Sequence, residues 1–296
     1  MNDVVLPTLV HGFVNSCTYA LLALGYALIY NTSRIFHIAH GATYTVSGYV
    51  LYVLMVSCRW PLWVTLVATI VIAGVFGITL DRWLYRPIAS GSGSLLPAFI
   101  ASLGFYTAAV NVVALVFGSE TKVVAPGIAS TIGFGNVILT RIQVSQLLAG
   151  VLCSGTLLVL LRVTRWGRTV RAVRDNTQLA SVLGVNVSSV RLGVFALGSA
   201  LAGLAAFMTA LDVGIDPYGG ITAVLAAAIA MTVGGTGTFA GPVIGAVLLG
   251  CLESLLVLTI GTRWMEALAF TVLFLILIAR PGGLIHYVRR LEERAA

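Results

Sequence analysis

Long apolar runs, cut at intervals by short polar stretches, fill the chain from Val10 to Ala279. A helix needs about 20 predominantly apolar residues to cross the hydrocarbon of a bilayer. Runs of that order extend from Val10 to Tyr30, Ile38 to Ser57, Leu62 to Leu80, Leu95 to Phe117, Val144 to Leu161 and Leu192 to Leu211. A Gly-broken stretch from Ala223 to Ile260 and a last run from Met265 to Ala279 follow. The pattern predicts an all-α polytopic membrane protein with eight or nine transmembrane helices, the number turning on the broken stretch. One transmembrane domain spans 1–296, with three notable connections: an outside loop at 118–143, a cytoplasmic segment at 162–191 and a cytoplasmic tail at 280–296.

Composition strengthens this picture. Apolar residues make up 59% of the chain and charged residues 9%, and the mean hydropathy is +1.02, so lipid is the solvent. The first run follows no basic leader and has the length of a span, which reads as a retained helix rather than a cleaved signal. The formal charge of +7 orients the chain instead of marking a nucleic-acid binder. With nine crossings and the 162–191 segment inside, 13 of the 17 basic residues face the cytoplasm, leaving Arg59, Lys122, Arg141 and Arg263 outside. The positive-inside rule then puts the amino end out and the carboxyl end in, in a bacterial inner membrane.

Two places interrupt the apolar pattern at membrane depth: His37 to Gly41, and Gly234-Gly-Thr-Gly237-Thr-Phe-Ala-Gly241-Pro242. Non-helical backbone there is tolerated only against protein or a water-filled cavity. Such breaks mark a pathway in many transporters, or they permit close packing and turns; both readings stand. His40, Gly41, Tyr44, Gly234 and Gly237 are therefore candidates for a translocation path. Glu253 is the acid set deepest in a span, and suits either a path or a helix–helix hydrogen bond. His11 and Asn15 sit near the outer end of the first span and read as interfacial.

The 162–191 segment carries the densest signal. Arginines at 162, 165, 168, 171 and 174 predict a basic helix that prolongs the fifth span. Beyond them, Asp175 is placed to cap a two-turn helix with Gln178 reaching back, and Gly184 to end it in the left-handed conformation. Leu179, Ala180, Val182 and Leu183 form its apolar strip. A helix so short is not stable alone, so it docks on a partner; anchoring of the basic stretch to anionic headgroups is the competing reading.

Asp175, Gln178, Ala180, Gly184, Asn186 and Arg191, with the small-residue span from Gly198, form a pattern that resembles the permeases of branched-chain amino acid ABC importers, the LivH/LivM family. The resemblance extends to Asn31–Gly41, Tyr85-Arg86-Pro87 and Gly234–Gly250, and so covers essentially the whole chain. It implies an importer of two permeases, either a related pair or a homodimer, two cytoplasmic ATPases and a periplasmic solute-binding protein. ATP and Mg would be bound by the ATPases, with no cofactor in this chain. Arg174, Asp175, Gln178, Leu179, Ala180, Leu183 and Gly184 would form the coupling element in a groove of the ATPase. Many such permeases carry Glu-Ala-Ala here, whereas this chain has Gln178-Leu-Ala180, so any ion pair made by that acid does not carry over. Branched-chain amino acids are the implied substrates, with urea or short amides as the alternative.

The remaining chemistry is sparse. The single lysine, Lys122, follows no Gly-rich phosphate loop. Cys17, Cys58, Cys153 and Cys251 stand apart, with no metal-ligand spacing, and Ser102 lacks a nucleophile elbow. A membrane enzyme is thereby disfavoured. A secondary transporter or channel would show more buried ionisable residues than Glu253.

Overall fold

The structure is a computed structural model of the chain, and describes residues 2–91, 95–124, 130–135 and 137–285. Its spine is α1 (Asn2–Ser33), most of whose length is buried among other helices. Around it stand α2 (Ala39–Tyr52), α3 (Leu62–Thr79), α4 (Arg86–Gly91), α5 (Leu95–Phe117), α6 (Arg141–Val163) and the two short helices α7 (Arg165–Asp175) and α8 (Thr177–Val182). The chain then continues through α9 (Val187–Asp212), α10 (Gly219–Gly234), α11 (Gly241–Thr259) and α12 (Met265–Ala279). Both α2 and α3 run on into π-helical turns, Val53–Ser57 and Leu80–Tyr85.

Among the described residues seven helical stretches are long and apolar enough to cross a membrane: Val4–Ser33, Leu62–Ile88, Leu96–Phe117, Arg141–Val163, Val187–Asp212, Gly241–Thr259 and Thr262–Ala279. The chain is thus a polytopic helical membrane protein. Two expected spans, α2 and α10, are missing from this set for different reasons. α10 is short, at 16 residues. α2 carries His40, Thr43, Thr45 and Ser47, all buried, so protein rather than lipid surrounds it and its composition is free to be polar. By contrast α3, α5, α6 and α12 expose most of their apolar side chains, as lipid-facing helices should.

Close helix crossings hold the centre. A methyl group on Gly25 of α1 would stand 2.5 Å from the carbonyl oxygen of Gly198 on α9, and one on Gly41 of α2 would stand 2.5 Å from that of Gly220 on α10. Only glycine lets the backbones approach so nearly. The break after α10 is a turn in which Gly235 and Gly237 have φ of +119° and +91°, conformations that L side chains rarely adopt.

The 118–143 connection contains a hairpin, β1 (Thr131–Phe134) and β2 (Val137–Thr140), paired antiparallel with Thr131 opposite Thr140. Val137 and Leu139 pack against Val14 of α1. Thr140 then starts α6 through a capping box, its Oγ1 accepting from Gln143 N and its own N donating to Gln143 Oε1, both at 3.1 Å. Paired hydrogen bonds between Lys122 and Ile215 fasten the same connection to the link between α9 and α10. Of the tail, residues 286–296 lie outside the described residues.

Candidate functional site

The cytoplasm-predicted segment folds as an arm with a free tip. The basic helix does not prolong α6: the chain turns at Thr164, whose side chain accepts from Gly167 N at 3.0 Å and caps a separate helix, α7. The helix α8 is capped not by Asp175 but by Asn176, whose Oδ1 accepts from Leu179 N at 2.9 Å. Asp175 instead closes α7 and accepts from Arg174 Nε at 2.8 Å. Gly184 has φ +84° and ends the turn in the left-handed conformation expected of it.

The apolar strip of α8 divides in two. Ala180 is buried on the arm's inner side, whereas Leu179, Val182 and Leu183 are 45%, 84% and 74% exposed. Gln178 and Gly184 are exposed beside them. Leu179 and Val182 on the six-residue helix, and Leu183 at its C-cap, thus present large apolar side chains at the arm's surface.

Behind the tip the arm is firmly held. Arg174 is 8% exposed; its Nη1 donates to Gly237 O at 2.9 Å, and its guanidinium stands 5.2 Å from the Phe239 ring. Arg34 Nη2 donates to Arg174 O at 3.0 Å. Asn31 brackets the same glycine turn, accepting from Gly237 N at 3.0 Å and donating to Thr238 O at 3.3 Å. Gly234 packs on Gly241 across the turn, and its carbonyl accepts from Ile285 N. Thus Gly237 meets the arm through Arg174, with Gly234 at the other side of the same turn, and three motifs far apart in sequence converge there.

A second anchor was not legible in the sequence. Asp81 is fully buried and accepts from Arg86 Nε at 3.0 Å and from Arg191 Nε. Arg191 opens α9 immediately after the arm, and Arg86 Nη2 also reaches Ser188 O at 3.2 Å. The signal was a lone acid after an apolar run, Leu80-Asp81-Arg82. One turn on, Tyr85 Oη lies 2.6 Å from His37 Nδ1 and 2.8 Å from Ser102 Oγ, which accepts from Ala39 N at 2.8 Å. His40 packs edge-on against Tyr26 with ring centroids 5.9 Å apart. His40 and Gly41 therefore lie in a packed core, with Gly41 against Gly220.

Toward the end of the bundle where α1 begins, two adjoining clefts open. One, of about 480 Å³, is lined by Asn15, Thr18, Tyr19, Leu22, Tyr44, Gln146, Asp212 and Asp216 among others. The other, of about 420 Å³, holds Glu253, Ile229, Arg263, Glu266 and Phe270, and the two share Tyr19, Thr222 and Met265. Both volumes lie in the range of small-molecule sites. Of the path candidates, Tyr44 and Glu253 line this space, while His40, Gly41, Gly234 and Gly237 do not. Among the described residues no group of His, Cys, Asp and Glu is placed to hold a metal ion.

Comparison with known proteins adds to this geometry. A family model described as branched-chain amino acid transport system, permease component, matches residues 8–278. The chain is 28% identical over 294 residues to the high-affinity branched-chain amino acid transport system permease protein BraD of Pseudomonas aeruginosa, and 29% identical over 295 residues to LivH of Escherichia coli strain K12. Each alignment covers 95% of both chains. Among solved structures, PsaBC from Streptococcus pneumoniae in complex with Fab matches with a TM-score of 0.53 over 96% of this chain and 94% of that one; at 12% identity the likeness speaks for the fold alone.

Proposed function

The chain belongs to the family of branched-chain amino acid transport system permease components, and from that premise we propose that it lines the route by which hydrophobic amino acids enter the cell, driven by α8 seated in a groove of a partner ATPase. As a permease subunit it is a transport component, and ATP binding lies in the partner ATPases. The observation that carries the coupling role is the exposed trio Leu179, Val182 and Leu183 on a capped, anchored arm. An amphipathic helix laid in a groove is a common mode of recognition, and burying each leucine would contribute roughly 1.5–3 kcal/mol.

Nine crossings follow if α2 and α10 count as spans, with the amino end outside and the arm, the glycine turn and the end of α12 in the cytoplasm. The two clefts then open outward, toward a periplasmic binding protein. Carboxylates at Asp212, Asp216 and Glu253 suit the ammonium group of an amino acid, and Leu22, Ile229, Met265 and Phe270 suit its apolar side chain. Closure of the ATPase pair would move α8, and α7 would carry that motion through Arg174 into the glycine turn between α10 and α11. Asp81 would pass it to α3 through Arg191. The cleft between permeases, whether a related pair or two copies, would thereby change the side to which it opens.

The test is co-purification of the tagged chain with its ATPase partners in mild detergent. Replacing Leu179 and Leu183 together by Glu should leave insertion and the gel-filtration profile intact, while the recovered ATPase falls more than about a hundredfold, the loss expected from two leucines. Undiminished recovery would contradict the role of α8.

A further inference from the structure

Behind the arm the structure carries a basic cleft, two of whose arginines, Arg162 and Arg171, the coupling role does not use. It has a volume of about 240 Å³ and lies between the end of α6, α7 and the glycine turn, lined by Arg162, Arg171, Arg174, Thr238 and Phe239. Arg174 is engaged with Asp175 and Gly237. Arg162 and Arg171 have no carboxylate within ion-pair range among the described residues, and Arg171 Nη1 is buried without an acceptor there. A buried guanidinium nitrogen left unpaired is costly, so the cleft calls for an anion.

The cleft does not end at the arginines. Leu158, one turn before Arg162, also lines a groove of about 220 Å³ that continues along α6 over α1 to α11. Its walls are Phe13, Gly155, Val243 and Val247, with almost no polar surface. A methyl group on Gly155 would meet no protein atom within 4 Å. The geometry points to a resident anionic phospholipid: its phosphate held by Arg162 and Arg171 beside the coupling arm, its acyl chain laid in the α6–α1–α11 groove. A free phosphate would satisfy the arginines but leave the groove without a purpose. A basic pocket continuous with an apolar channel at the cytoplasmic end of helices is the arrangement that binds anionic headgroups. Seated there, the lipid would tie α7 to α6 and to the glycine turn, and so set the stiffness of the link between ATPase and permease.

The experiment uses the assembled transporter in nanodiscs of phosphatidylcholine with or without phosphatidylglycerol, and counts retained lipid by native mass spectrometry. The expected result is selective retention of phosphatidylglycerol by the wild type. Retention should weaken roughly thirtyfold in the double variant Arg162→Gln, Arg171→Gln, as expected for two arginine contacts at a membrane surface. Gly155→Leu, which fills the groove and keeps both arginines, should also lose the lipid while the particle keeps its size and subunit ratio. Equal retention by all three proteins would overturn the proposal. So would displacement of the lipid by millimolar inorganic phosphate in wild type and Gly155→Leu alike, which would make the cleft a free-anion site. A change in permease–permease pairing in Gly155→Leu with lipid retention unaltered would assign the groove to the partner subunit and equally overturn it.

Discussion

Asp81 shows how one side chain can fix the position of an arm. Its carboxylate is fully buried and accepts from Arg86 and Arg191, whose side chains are 32% and 18% exposed. Breaking a buried pair by removing one partner strands the other charge, at a cost of about 3–5 kcal/mol; the partial exposure of these arginines brings the expected loss to about 2 kcal/mol. Asp81→Asn should therefore lower the melting temperature in detergent, and should also uncouple ATP hydrolysis from uptake while leaving ATPase recovery unchanged. Thermal melting together with the ratio of uptake to hydrolysis checks both. At the cap of α8 the expectation is sharper still. Asn176→Ala should cost about 1 kcal/mol of local helix stability, seen as faster amide exchange in 177–183, whereas Asp175→Asn should leave that exchange unaltered. Sequence alone favoured Asp175 for the cap because Asp and Asn are equally good at that position. What decides between them is Arg174, which claims the Asp175 carboxylate.

At the scale of elements, hydropathy located the lipid-facing helices well because their sequence answers to solvent. It also placed α2, the run Ile38–Ser57 matching the helix and its π turn over Ala39–Ser57, although α2 is wrapped by protein and so is free to be polar. The short docking helix and its closing Gly184 were legible, since caps and breakers act locally. The separation of α7 from α6 was also written locally, in Thr164 and Gly167, but the regular spacing of arginines masks it. The glycine break was visible too, yet its location was not: only tertiary contact of Asn31 and Arg174 with Gly237 puts the glycine turn at the arm rather than in the cleft. Gly41 is likewise a packing residue by its geometry. Gly41→Ala, whose methyl would meet the Gly220 carbonyl oxygen at 2.5 Å, should already lower the melting temperature, and Gly41→Val should lower it further, by overpacking worth about 1–3 kcal/mol, while the KM for uptake of the folded Gly41→Ala protein stays near wild type. A raised KM with an unaltered melting point would put Gly41 back on the path.

Over the whole molecule, a buried α1 carries a polar cleft toward its start and the anchored arm toward its end. Tyr44 and Glu253 were legible as path candidates, but Thr18, Tyr19 and Asp212 escaped the sequence because the lining comes from four helices and no local spacing joins it. The arm was legible because its residues are contiguous. These two ends are joined by α1, by α9, which runs from Arg191 beside the arm to Asp212 in the cleft, by the crossings at Gly25–Gly198 and Gly41–Gly220, and by the glycine turn, a rigid path that an arm-driven change in the cleft requires. The central claim is that force applied at the tip of α8 drives transport through the chain. Its most direct test is leucine uptake into liposomes containing the assembled transporter, its binding protein and internal ATP. The expected result is ATP-dependent uptake that disappears when Leu179 and Leu183 are both replaced by Glu; uptake that persists in that variant, or that proceeds through the chain alone without ATPase partners, would contradict it.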